Sequence, residues 1–202
     1  AKRKSDEFGV TNIDYIQADI LDIAGMERQF DVIECSGVLH HMDDPLLGWR
    51  VLTDCLKPGG LMKIGLYSEL ARRHIFAIRE EIASLGLRPS GANISAFRQS
   101  LLESPDENHR LLVTATDFFS LSTVRDLIFH EQECSFTLPR VNDCLNRLGL
   151  KFCGFANADI VSRFRAFHGE ESVATDLMLW NEFEESHPQT FLGMYEFWCQ
   201  KL

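Results

Sequence analysis

FDVIECSGVLHHMDDP, residues 30–45, has the form of a strand that stops at small residues and turns toward a helix. Phe30, Val32 and Ile33 give its first half the apolar character of a strand. Cys35-Ser36-Gly37 closes it with side chains small enough for a ligand to approach the backbone. Asp43 or Asp44 can cap a helix that has Pro45 at its first position. That helix carries Leu47, Val51, Leu52, Cys55 and Leu56 as a buried stripe. LKPGG (56–60) is a turn, and LMKIGLY (61–67) is the next strand. Strand, helix and strand in this order predict a parallel pair joined by a crossover helix.

Upstream, AKRKSDEF (1–8) reads as the last turns of a helix, with Gly9 as its left-handed stop. IDYIQ (13–17) alternates apolar and polar residues and predicts a strand, with ADILDI as the loop after it. Downstream, residues 70 to 149 are mostly helical. Helices are predicted over 71–86, 94–104, about 120–133 and 141–149. LKFCGFAN (150–157) and FLGMYEFWCQKL (191–202) return to strand character, separated by a Glu-rich helical segment (170–186).

The 202 residues suit one domain with an insertion, and 45% hydrophobic residues suffice for a packed core. A net charge of −10 opposes a general nucleic-acid or anionic-membrane binder, because phosphates need a basic surface. No apolar run reaches the length of a membrane span. Six cysteines without a Cys-x-x-Cys pair, and no secretory apolar segment, predict free thiols in a reducing cytoplasm. Ala1, placed inside a helix, reads as a start within a longer protein.

The combination of F-D-V-I, V-L-H-H, D-P and L-K-P-G-G within about 30 residues resembles class I S-adenosylmethionine-dependent methyltransferases. IDYIQADILDI looks like their third strand and acidic loop, FDVIECS like the fourth, and LMKIGLY like the fifth. The last two predicted strands fit the sixth and the antiparallel seventh. DFFSLSTVRDLIFHEQECSFTLP (117–139) resembles a segment of bacterial members, some of them fused to tetratricopeptide repeats. The resemblance implies an α/β fold: a partial Rossmann-like sheet of strands 3 to 7 in one domain over 1–202. A helical lid inserted at about 70–149 lies between the fifth and sixth strands. The family's first strand, its glycine-rich loop and the acidic end of its second strand have no counterpart. The expected activity is therefore methyl transfer from S-adenosylmethionine by a longer parent protein, with this chain binding the cofactor weakly alone. A non-catalytic scaffold with the same shell and a nucleotide-dependent oxidoreductase are the alternatives.

The resemblance also implies site residues. Asp19 would accept from the adenine amine, and Ile20 would pack on the ring and offer its N–H; a solvated loop is the plainer role for Asp19. Cys35, Ser36 and Gly37 would make room for cofactor at the crevice beyond the strand ends. His40 and His41 are candidates for a pocket contact, a general base or a loop anchor. Tyr67 is a candidate pocket wall. Arg125 and Asp126 with His130 are candidate substrate contacts on one helix. Arg72, Arg73 and His74 read as a solvated basic turn. No ligand set completes a metal site, His130 with Cys134 included. The acceptor, small molecule or protein, is not written in the sequence.

Overall fold

The computed structural model describes residues 1–129, 133–169 and 173–202. Four strands form one sheet: β1 (Phe30–Ser36), β2 (Leu56–Leu66), β3 (Leu150–Phe155) and β4 (Tyr195–Lys201). Their spatial order is β1-β2-β4-β3. β1 and β2 are parallel, while β4 runs antiparallel to both β2 and β3. The register between β1 and β2 jumps after Phe30↔Leu56 to Val32↔Leu61, so the Lys57–Gly60 turn bulges out of the ladder. Gly59 takes φ +76° there, as the turn requires.

The helices are α1 (Lys2–Glu7), α2 (Pro45–Asp54), α3 (Arg73–Ser84), α4 (Gly91–Glu103), α5 (Glu107–Thr114) and α6 (Leu121–Ile128), followed by α7 (Leu138–Leu148), α8 (Ala158–His168) and α9 (Leu177–Ser186). Asp44 caps α2 as expected, its Oδ1 accepting from the Leu46 and Leu47 amides at 3.0 and 3.1 Å. α5 and α8 were not expected from the sequence. The helix placed at 120–133 ends at Ile128, and residues 130–132 of that stretch lie outside the described residues.

The strand expected over 13–17 is not formed. Residues 12–19 hold no ladder bond, and Ile13, Tyr15 and Ile16 are exposed. Alternation marks a segment that can join a sheet. A ladder partner makes the strand, and none of the described strands extends one to it.

Two cores divide the packing. Met62, Ile64 and Leu66 of β2, Phe197 of β4 and Leu145 of α7 belong to the first, together with Trp49, Phe164 and Trp180. Ile78, Phe97, Leu112 and Ile128 belong to a second core made wholly by α3 to α6 and the turn between them. α7 therefore packs with the sheet, and the insertion's own core lies within 75–128. The opposite sheet face, with Val32, Glu34 and Leu61, is exposed. Among the described residues no helix is long and apolar enough to cross a membrane.

A buried carboxylate ties α9 to the sheet. Glu184, 2% exposed, accepts from the Ser68 hydroxyl at 2.5 Å and from the Tyr195 hydroxyl at 2.6 Å. Burial raises its pKa above the carboxylate norm against those two bonds. A folded-state pKa above the unfolded one means that the folded chain holds the proton to higher pH. The stability this group contributes is full below the ordinary Glu range and is lost as pH rises through the raised value. Glu184→Gln should therefore gain stability relative to the parent as pH climbs from about 4 to 8. Urea unfolding of both proteins across that range checks it; a pH-independent difference would contradict the assignment.

Candidate functional site

Because β1 and β2 are parallel and β4 is antiparallel, the chain after Ser36, after Leu66 and before Tyr195 gathers on one edge of the sheet. At that edge Ser36 faces Gly65 across the ladder. A Cβ on Gly65 would overlap Ser36 Oγ and lie 3.0 Å from Ser36 Cα, so only glycine lets the strands close here. Gly37 follows with φ +74° and open space where a side chain would project. Cys35 is buried just before it, and burial pushes its thiol pKa up.

The backbone then makes a single turn over Leu39–His41. His40 is fully buried, and neither ring nitrogen has a hydrogen-bond partner among the described residues. Burial, then the neighbouring His41 and Arg72, push its pKa down to about 3. The imidazole is thus neutral near pH 7. It stacks on Tyr67 with centroids 3.8 Å apart, and the Arg72 guanidinium lies 3.7 Å from the same ring. Both at van der Waals distance, they must occupy opposite faces of the Tyr67 ring. His41 meets His40 edge-on at 4.4 Å.

Arg72 is 4% exposed, not the solvated residue expected, because Glu133 reaches it from 61 positions away. Its Nε and Nη2 each donate to Glu133 at 3.1 Å, and Arg79 Nη2 donates to the same carboxylate at 2.8 Å. The residues after Glu133 anneal to the site. The Cys134 amide donates to the His40 carbonyl and the Phe136 amide to the Tyr67 carbonyl, both at 2.8 Å. Tyr67, His41, Arg72 and Glu133, with Thr123, Asp126 and Leu127 of α6, line a cavity of about 390 Å³. It has the size and mixed walls of a small-molecule site.

The structure thus joins His41, Tyr67 and Asp126 from the residues singled out in the sequence. Arg125 is exposed and does not line this cavity, and His130 lies outside the described residues. Asp19 is exposed, and its Oδ1 accepts from the Leu21 amide at 2.8 Å, starting the turn over Leu21–Gly25. Ile20 is half-buried against the sheet core. Arg72 and Glu133 were missed. The only available signal was the spacing of Arg72 and Arg79, two turns apart on one helix face.

A sequence model described as a methyltransferase domain matches residues 1–62. An uncharacterized protein of a Synechococcus strain is 29% identical over 213 residues, covering 96% of this chain and 51% of that protein. A ubiquinone biosynthesis O-methyltransferase of Marinobacter nauticus is 33% identical over 96 residues, covering 46% of this chain and 40% of the enzyme. The chain thus spans about half the length, or less, of these relatives. The structure of PKMT2 from Rickettsia typhi in complex with AdoHcy superposes with a TM-score of 0.65 at 15% identity, over 98% of this chain and 40% of the other.

Proposed function

We propose, from a fold like that of PKMT2 and a match of the first 62 residues to a methyltransferase-domain model, that the chain serves S-adenosylmethionine-dependent methyl transfer. The chain would supply the floor of the donor site and the wall of the acceptor site. The observation that carries this reading is the bare backbone at Gly37, opening at the sheet edge that also bears the Tyr67 cavity. A cradle with no side chain fits a nucleoside donor pressed against the strand end.

Ser36 and Gly37 would hold the donor, with Asp19 and Ile20 at its adenine. When bound, the donor supplies an electrophilic methyl group on a sulfonium. The chain's own part is to align an acceptor and exclude water. Tyr67, fixed between His40 and Arg72, gives the acceptor a rigid wall. His40 holds that wall as a neutral ring and is a poor base at its depressed pKa. His41, on the cavity lining, is the candidate for taking a proton from an acceptor that must lose one.

The test uses the whole protein that contains this chain. It should form S-adenosylhomocysteine in the presence of acceptor extracts. Gly37→Val, which fills the cradle and strains a positive φ, should weaken calorimetric binding of S-adenosylhomocysteine about a hundredfold or more. Binding within threefold of the parent would sink the donor assignment. The same assay separates methyl transfer from an oxidoreductase or a non-catalytic scaffold, neither of which yields this product.

A further inference from the structure

A second cavity, of about 650 Å³, is a different one. It lies on the other side of the segment that follows β2: Tyr67 and Arg72 face the methyl-acceptor cavity, while Leu70, Ala71, Arg73 and His74 face this one. Its remaining wall comes from α5, α8 and the loop before β4. Four separate parts of the chain therefore converge on a space the reaction above does not use.

The wall is cationic in a protein of net charge −10. Arg73 and Arg163 line it against one carboxylate, Glu107. Neither guanidinium forms an ion pair with a described residue. Arg73 spends one N–H on the Leu70 carbonyl at 3.3 Å, so most of its donors face outward. The 12-residue α3 begins at Arg73 without a side-chain cap, so the positive end of its dipole falls at the same wall.

His74 adds a buried polar group to the same wall. It is only 8% exposed, yet it lines the cavity. Burial pushes its pKa down, so the ring is neutral near pH 7 and carries one acceptor nitrogen. A neutral, nine-tenths-buried imidazole at a cavity wall can accept a hydrogen bond from a guest. His187 and the Gln189 amide add further polar groups opposite it.

We infer that this cavity is a binding site for a small hydroxylated oxyanion of the sugar-phosphate class. Arg73 and Arg163 take the phosphate, and His74 accepts from a hydroxyl. Guanidinium forks match tetrahedral oxyanions, and the volume suits a ligand of that size.

Isothermal titration of the intact protein with ribose 5-phosphate, inorganic phosphate and ribose tests it. Ribose 5-phosphate should bind saturably, phosphate more weakly, and ribose not at all. Arg73→Gln/Arg163→Gln, both at exposed positions, should weaken ribose 5-phosphate at least about tenfold through lost charge-assisted bonds. Arg50→Gln, an exposed charge removed from α2, should leave it unchanged. Absence of saturable binding overturns the proposal, as does equal affinity in the double variant or an equal loss in Arg50→Gln. Phosphate binding as tightly as the sugar phosphate also overturns it, since hydroxyl recognition would then be missing.

Discussion

Glu133→Ala lowers the folding free energy by about 3–5 kcal/mol, the cost of breaking a buried charge cluster on one side. Its side chain is 1% exposed and is the carboxylate shared by two guanidiniums whose side chains are 5% and 16% exposed. Removing it leaves Arg72 and Arg79 facing each other without a counter-charge. The alternative to paying that penalty is for Arg72 to swing out, which strips one face from Tyr67 and loosens the acceptor wall. Urea unfolding at neutral pH measures the loss. Replacing all three partners by apolar residues of similar volume should recover most of it, because the uncompensated charges vanish together. A loss under about 1 kcal/mol for Glu133→Ala would mean that the cluster is hydrated and not a fastener.

Gly65→Val is the second large effect, and it reaches the chemistry directly. The new side chain would have to occupy the space of Ser36 Oγ and press on Ser36 Cα, which is its partner in the parallel ladder. The Gly37 amide donates to the Gly65 carbonyl at 3.3 Å, so spreading the strands also releases the turn that begins the donor cradle. Overpacking of this kind costs about 1–3 kcal/mol, toward the upper end here because backbone and not a flexible side chain is in the way. On the proposed reading, methyl transfer by the whole protein falls about a hundredfold, more than the stability loss alone explains, since displacements near 1 Å cost that much alignment. Rates measured well below the melting temperature, beside thermal unfolding, separate the two effects. Unaltered turnover would show that the β1 terminus is not part of the site.

The sequence was most legible where local chemistry and tertiary context agree. Phe30–Ser36 and the Asp44-Pro45 helix start are set by residues within a few positions of one another, and each is found as read, whereas the Pro-Gly residues expected as a turn lie inside β2 as a bulge. IDYIQ has the alternation of a strand but no neighbour among the described strands, so it stays out of the sheet. α5 escaped notice because ENHRLLVT opens with polar residues and buries only Leu112. α8 escaped for the same reason, with Phe164 its one buried residue. At the site, Cys35-Ser36-Gly37 and Tyr67 could be marked from their places at strand ends. Arg72 could not. Its burial depends on a carboxylate 61 residues along the chain, and no pattern of spacing encodes that pairing. The neutral state of His40 was equally hidden, because it follows from burial and from Arg72.

The outer margin of β1 has a further consequence. Among the described residues it is the end of the sheet, and beside it lies an apolar groove of about 320 Å³ walled by Ile16, Ile23, Phe30 and Val32. A row of unsatisfied peptide groups next to greasy side chains is a template for cross-chain zippering and hence for precipitation at high concentration. The acids of β1 do not fence this margin with bare charge: Asp31 pairs with Lys57 at 2.8 Å and Glu34 with Lys63 at 2.9 Å, so a strand laid alongside meets neutralised pairs.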